Sequence, residues 1–244
     1  MQTSKNTILI TGGATGIGLA LAKQFAVQDN TVIICGRRKN RLEEAKAMIP
    51  GLIIRVCDVS IEDERVRLYE WSVKNFPAIN VLINNAGIQQ SYNLQKTIDI
   101  SLVSKEVETN FIAPVHLSNL FSDHLKKQTE AAIINISSGL AFTPLAFMSV
   151  YCATKAALHS FSLSLRHQLS GTPIKVFEIL PPMVDTELDG GDRDHRETRD
   201  RGMNADEFAR QAIESIHNDE YEAAIGTAAN LRSKREEAFG FLNH

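Results

Sequence analysis

Short, nearly continuous apolar runs alternate with segments of helical spacing along this chain, and that alternation limits its fold more than any other feature. Thr7 to Thr11 is an apolar run stopped by Gly12-Gly13, after which Ile17, Leu21 and Phe25 recur at helical spacing within Ile17 to Val27. The unit repeats: strand Thr31 to Cys35, helix near Arg41 to Met48, strand Leu52 to Val56, helix Glu62 to Asn75 and strand Val81 to Asn84. A less regular stretch from Gly87 to Thr97 leads into one helix through about Leu125. Strand Ala132 to Ile136, helix Val150 to Leu169 and strand Ile174 to Ile179 follow. Strands separated by helices pair in parallel, and runs such as Val32-Ile33-Ile34 and Ile133-Ile134 lack the alternation of a half-exposed sheet. The expected architecture is therefore α/β: a single-domain, doubly wound parallel sheet over residues 1–244 with helices on both faces.

From Leu188 to Gly202 the pattern stops, because Asp189-Gly190-Gly191-Asp192-Arg193-Asp194-His195-Arg196-Glu197 offers charge and glycine but no apolar face. This reads as a mobile substrate loop over about 188–203, in which Gly190, Gly191 and Gly202 permit motion; the charges of Arg193, His195, Arg196 and Arg199 read first as a solvated lid face, with cations offered to an acidic group as the alternative. Asn204 is placed to cap the next helix, with Glu207 at capping-box spacing, ahead of a strand Ala223 to Ile225 and a charged terminal helix.

Composition excludes several classes of function. Twenty-six Lys plus Arg against 29 Asp plus Glu give a net charge of -3, so no global basic field favours nucleic acid or anionic lipid. The three cysteines Cys35, Cys57 and Cys152 form no Cys-x-x-Cys pair, and no metal site is expected. The polar start has no signal-peptide core and no apolar run nears the ~20 residues of a membrane span, which makes a soluble cytoplasmic protein the expectation.

Two constellations carry chemistry. Thr11-Gly12-Gly13-Ala14-Thr15-Gly16-Ile17-Gly18 joins the first strand to the first helix, where glycines let a pyrophosphate approach backbone N–H groups at a helix N-terminus. The second strand ends in Gly36-Arg37-Arg38, without the acid that binds both ribose hydroxyls of NAD. Arg37, assisted by Arg38, can instead pair with a 2′-phosphate, so NADP(H) is the preferred cofactor, with NAD as the alternative; taken alone, two such arginines are ordinary solvated charges. Secondly, Tyr151 and Lys155 are one helical turn apart, so an ammonium stands beside a phenol and favours its phenolate. A Tyr-x-x-x-Lys spacing arises in many helices by chance, but here Ser138 ends the fifth strand, at the edge where parallel sheets keep their ligand crevice.

With these residues assembled, the chain resembles the short-chain dehydrogenase/reductase family from about Asn6 to Leu188. The resemblance rests on Thr11-Gly12-x-x-x-Gly16-x-Gly18, Asp58, Asn84-Asn85-Ala86-Gly87, Asn110, Ser138 and Tyr151-x-x-x-Lys155. Cys35-Gly36-Arg37, the run Asn80 to Gln89 and Val150 to Lys155 are similar to the bacterial DltE-like subgroup. The resemblance implies a Rossmann fold and an oxidoreductase moving hydride between a nicotinamide and a small alcohol or carbonyl substrate. By that resemblance Tyr151 is the general acid/base, Ser138 positions the substrate oxygen, Lys155 tunes Tyr151 and holds the nicotinamide ribose, and Asn110 holds a relay water. Cofactor contacts are implied at Gly12, Thr15, Gly16, Ile17 and Gly18, at Arg37 and Arg38, at Asp58 and Val59 by the adenine, at Asn85, Ala86 and Gly87 along the adenosine, and at Val184 and Thr186 by the nicotinamide amide. For each, packing or capping is the alternative role.

One departure is visible: the family's Pro-Gly after the sixth strand is Pro181-Pro182 here, and a second proline, lacking N–H, implies altered geometry at the nicotinamide end. Ile88, Gln89, Leu140, Phe142, Leu145, Met148 and Met183 are candidates to line an apolar substrate pocket. The resemblance also implies a homo-oligomer, dimer or tetramer, packed through the helices carrying Asn110 and Tyr151, with the apolar tail Phe239 to Leu242 as a further contact. Two other readings stay open at this point: a redox-sensing module without turnover, against which the intact Asn110, Ser138, Tyr151, Lys155 set argues, and a lyase or isomerase reusing the tyrosine.

Overall fold

The computed structural model describes residues 1–189 and 202–243. Most of the charged loop expected at 188–203, with Arg193, His195, Arg196 and Arg199, lies outside the described residues.

Among the described residues the chain runs β1 (Thr7–Thr11), α1 (Gly16–Ala26), β2 (Thr31–Gly36), α2 (Lys39–Met48), β3 (Ile53–Val56), α3 (Glu62–Asn75), β4 (Ile79–Asn84), α4 (Ile100–Val107), α5 (Ala113–Leu125), β5 (Ala131–Ile136), α6 (Ser149–Gln168), β6 (Ile174–Leu180), α7 (Ala205–His217), β7 (Glu222–Ala224), α8 (Ala228–Lys234) and α9 (Phe239–Leu242). The strands form one sheet in the order β3-β2-β1-β4-β5-β6-β7, with every pairing parallel. The order reverses beside β1, which opens a crevice between the loops following β1 and β4.

Alternate residues of each strand serve opposite faces, which explains why the strands are apolar throughout. Ile8, Ile10, Val32, Ile34, Val81, Ile83, Ala132, Ile134, Phe177 and Ile179 pack with Leu21 and Phe25 of α1, Leu42 of α2 and Phe208 and Ile213 of α7. Leu9, Ile33, Leu82, Ile133 and Val176 face the other way, onto Leu68 of α3, Leu117 and Phe121 of α5 and Leu165 of α6. The doubly wound fold is as the sequence predicts.

Three local expectations need correction. The single helix through Leu125 is interrupted by a π-helical turn, Glu108–Ile112, between α4 and α5. Pro114 supplies the reason: it has no N–H to return to the carbonyl of Asn110 four residues earlier, so the regular ladder cannot be completed there. Asn204 does cap α7, accepting from Asp206 N at 2.9 Å and Glu207 N at 3.2 Å, but the capping box stays open. Glu207 turns forward instead to Arg210, accepting at 2.7 and 3.0 Å, because a guanidinium fork one turn on outcompetes the cap's backbone N–H. The terminal helix is broken into α8, a 3-10 turn Arg235–Ala238 and α9, with Arg235 at φ 48° between them.

On the α5/α6 face a polar row crosses the sheet in register, buried at Asn84, Asn135 and Glu178 on β4, β5 and β6 and half-buried at Glu222 on β7. Asn84 Nδ2 donates to Asn135 Oδ1 at 2.9 Å, Asn135 Nδ2 to Ser162 Oγ at 2.9 Å, and Glu178 Oε2 pairs with His159 Nδ1 at 2.8 Å. With Arg166 Nε donating to the Val176 carbonyl at 2.9 Å, one stripe of α6, His159, Ser162 and Arg166, is fastened to the sheet by polar contacts. His159, Glu178 and Glu222 bring ligand atoms within 4.8 Å of one another, yet His159 is committed to Glu178, and Glu222 to Arg232.

Glu178 holds the His159 imidazolium above the usual histidine range, with Glu222 adding to the effect and burial and Arg235 opposing it. A raised folded pKa stabilises fully below the unfolded value of ~6.5, and the gain is lost as pH rises through the folded value. His159→Gln should therefore destabilise by roughly 1–3 kcal/mol near pH 6, the range of a charge-assisted bond, with the gap narrowing towards pH ~9. Urea midpoints across that range measure it; a gap that does not change with pH contradicts the ion pair.

Candidate active site

All seven strands deliver their carboxyl ends to one edge, and most of the residues singled out in the sequence sit in the loops leaving that edge. The turn after β1 is the tightest. Thr11 Oγ1 donates to the Ile83 carbonyl at 3.3 Å and accepts from the backbone N–H groups of Asn85 and Ala86, both at 3.0 Å. Asn85 Nδ2 returns to the carbonyls of Thr11 at 2.9 Å and Gly12 at 3.2 Å. This knot ties the loops after β1 and β4 together, so the Asn85 amide is a brace of the turn. Gly12 has φ 64° and a Cβ there would meet Ala86 Cα at 2.8 Å; on Gly18 it would meet the Gly12 carbonyl oxygen at 2.4 Å.

Thr15 stands at the N-cap of α1 without a side-chain capping bond, and the first turn holds no acid. The first N–H groups of an eleven-residue helix are thus left for an external anion. Thr186, beyond β6, closes on this turn, since a Cβ on Gly16 would come within 3.0 Å of its Cγ2. The segment carrying Thr186 is pinned by a parallel bridge between Val184 and Met203, with Val184 buried. Pro181-Pro182 leave β6 without disturbing it: Gly139 N still donates to the Pro181 carbonyl at 3.1 Å and Ile225 N to Leu180 at 3.0 Å.

After β2, Arg37 and Arg38 are exposed, and Arg38 Nη2 donates to Thr15 Oγ1 at 3.5 Å. Asp58 Oδ1 accepts from Ser60 N at 3.0 Å and Ser60 Oγ at 2.7 Å, which shapes the loop after β3. Val59 points its side chain into the core and its carbonyl accepts from the buried Arg65 at 2.7 Å.

The second constellation gathers around Lys155. Its Nζ, buried, donates to the Ile136 carbonyl at 2.8 Å and lies 5.7 Å from the centroid of the Tyr151 ring. Burial pushes the ammonium down to about 8, with the charge of Glu178 resisting the fall. Asn110, buried in the π-helical turn, grips the backbone of Ile88, accepting from its N at 2.9 Å and donating to its O at 2.8 Å. Its Nδ2 also meets Thr154 Oγ1 at 3.2 Å, which donates to the Tyr151 carbonyl at 2.7 Å. A Cβ on Gly87 would lie 3.6 Å from Asn110 Oδ1 and 3.8 Å from Lys155 Nζ, so the missing side chain keeps the space between them open. Ser138 is buried and its Oγ accepts from Leu140 N at 3.1 Å, a bond that uses a lone pair and leaves the hydroxyl proton to donate elsewhere.

Several participants were not singled out from the sequence. Thr154 carries the second of the two knots just described, and Pro114, four residues after Asn110, was the readable sign of the turn that holds it. Glu106, one turn before Asn110 and buried, accepts from Gln90 N at 3.1 Å and Tyr92 Oη at 2.9 Å, fixing the loop after β4; desolvation raises its pKa while those two bonds oppose. Of the expected pocket residues, Phe142 is instead buried with Leu180 and Ala228, its ring 4.6 Å from that of His159, whereas Met183 is 48% exposed.

Comparison with known proteins agrees with this arrangement. A family model for short chain dehydrogenases matches residues 6–197. The chain is 49% identical over 233 residues to an uncharacterized oxidoreductase, DltE, of Bacillus subtilis, covering 95% of this chain and 92% of that one. It is 30% identical over 190 residues to a farnesol dehydrogenase of Aedes aegypti, covering 74% and 78%. A short-chain dehydrogenase from Sphingobium yanoikuyae, solved in complex with NADPH, superposes with a TM-score of 0.81 at 28% identity, covering 93% of this chain and 91% of that one. Given a family match that runs from β1 through the Tyr151/Lys155 helix and past β6, the chain belongs to the short chain dehydrogenase family.

Proposed function

We propose that this oxidoreductase uses NADP(H) to interconvert a small alcohol and its carbonyl compound, with Tyr151 as the general acid/base. As a family member it acts on CH–OH or C=O groups; the cofactor preference and residue roles are the further step. The observation that carries the reading is the buried Lys155 ammonium held on the Ile136 carbonyl beside the Tyr151 ring.

The nicotinamide, when bound, supplies or accepts the hydride. In reduction, Tyr151 Oη gives its proton to the substrate oxygen as charge develops there, and the Ser138 hydroxyl donates to the same oxygen. Lys155 stabilises the phenolate left behind; with its ammonium at about 8, it is mostly charged at neutral pH and loses this power in alkali. Asn110 serves in two ways: its carboxamide fixes Ile88 and Thr154, and its backbone carbonyl, lacking the N–H that Pro114 cannot give, accepts from a water that reprotonates the site. The uncapped N-terminus of α1 holds the pyrophosphate, with Gly12, Thr15, Gly16, Ile17 and Gly18 around it and Asn85, Ala86 and Gly87 opposite. Arg37 and Arg38 take the 2′-phosphate, Asp58 and Val59 border the adenine, and Val184 and Thr186 the nicotinamide end. NADPH in the Sphingobium yanoikuyae neighbour supports the cofactor assignment.

No helix among the described residues is long and apolar enough to cross a membrane. An apolar groove between α4 with its π-helical turn and α6, lined by Val107, Phe111, Val150, Ala153 and Ala157, supports a second copy of the chain as occupant, on the helices the resemblance points to.

Tyr151→Phe is expected to bind NADPH within about threefold of the parent, since it deletes a proton and little volume, and to lose at least ~10²-fold in turnover, the scale of general acid catalysis. Fluorescence titration and NADPH absorbance with an aldehyde and ketone panel read the two, and retained turnover would falsify the role. Arg37→Ala and Arg38→Ala should each weaken NADPH roughly tenfold while sparing NADH, because only NADPH carries the extra phosphate; equal losses remove the case for NADP. Ala153→Glu should reduce the assembly to a smaller species by light scattering after gel filtration, and an unchanged mass speaks against this face.

A further inference from the structure

One of the two arginines assigned to the 2′-phosphate, Arg38, already faces an acid of this chain. Glu187 lies in the short 3-10 turn Glu187–Asp189 that follows β6, next to the Thr186 that closes on Gly16. Its Oε1 accepts from Arg41 Nη2 at 3.1 Å, and its Oε2 lies 3.7 Å from Arg38 Nη1. Arg38 reaches Thr15 with its other nitrogen, and Arg41 is shared with Glu44 of its own helix, at 3.0 Å. One carboxylate from the far side of the crevice therefore bridges the start of α2 to the phosphate turn.

We propose that Glu187 determines cofactor specificity: its carboxylate competes with the 2′-phosphate for Arg38 and Arg41 and so limits the preference for NADPH over NADH. The inference rests on the NADP reading above. Charge and exposure both favour competition. The three side chains retain 55%, 37% and 46% of their exposure, for Arg38, Arg41 and Glu187, so these pairs are weak and exchangeable. A phosphate monoester carries about −1.5 to −2 at neutral pH with three acceptor oxygens, and takes both guanidinium groups in preference to one carboxylate. NADH presents only a hydroxyl there and gains nothing from displacing Glu187. Arg41 also becomes a third cation of the subsite, three residues beyond the pair that the sequence pointed to.

Fluorescence titration of the intact protein with NADPH and with NADH, at low and high salt, tests this. Glu187→Gln should tighten NADPH about three- to tenfold at low ionic strength and leave NADH within about twofold, and the gain should shrink as salt screens these half-exposed charges. The loss caused by Arg38→Ala should be larger in the Glu187→Gln background, where that arginine is no longer shared. Glu187→Asp, which keeps the charge on a shorter arm, should lie between and serves if Glu187→Gln melts early. A NADPH affinity changed by less than about twofold, a weaker one, or an equal gain for NADH overturns the proposal. If Arg38→Ala harms both nucleotides equally, the NADP reading itself fails; if it harms NADPH selectively while Glu187→Gln is silent, only the role of Glu187 does.

Discussion

A sheet whose strands all run the same way must send every carboxyl end to one edge, and the chemistry of this protein depends on that constraint. Strands β1 to β6 each contribute the loop that follows them: the glycine turn from β1, the arginines from β2, Asp58 from β3, Asn85 to Gly87 from β4, Ser138 from β5 and Thr186 from β6. No single loop is a site. They become one because backbone-directed bonds lock them together, above all the Thr11 hydroxyl and the Asn85 amide, which exchange bonds between the loops on either side of the topological reversal.

Asn110, Tyr151 and Lys155, by contrast, come from helices or a helical turn, and the sheet disciplines those too. Lys155 opens a polar stripe on α6 that continues through His159, Ser162 and Arg166, each bonded to β5 or β6. Buried polar groups make α6 costly to misplace, because sliding it would take their α6 partners from Glu178 Oε2 and Asn135 Nδ2 in a low-dielectric interior. The same stripe sets the electrostatics of Lys155: burial works against its charge, while Glu178 works for it.

Much of this was legible in the residues. Apolar runs at regular intervals dictated a parallel sheet, since each helix between them forbids an antiparallel turn, and Tyr151 with Lys155 could be read from a four-residue spacing. What the sequence concealed was contact between distant segments. Nothing near Glu187 announces that it meets Arg38 and Arg41, some 146 residues away from the latter. Phe142 looked like any apolar residue beside a pocket until α8 covered it. Glu207 stood at capping-box spacing, yet Arg210 offered it a better partner than the cap did. Local rules name candidates, and tertiary neighbours choose among them.

The π-helical turn at Glu108–Ile112 has a consequence for how this scaffold tolerates change. A widened turn of this kind amounts to one extra residue accommodated within a helix, so the stretches before and after it differ in phase by about 100° from an uninterrupted α-helix. Glu106, which anchors the loop after β4, lies on one side of the offset, and the buried face of α5 lies on the other. Losing a single residue here would cancel the offset at the expense of one alignment or the other. Length between Glu106 and Pro114 is thus fixed more strictly than amino-acid type, and among related chains gaps should be rarer there than substitutions.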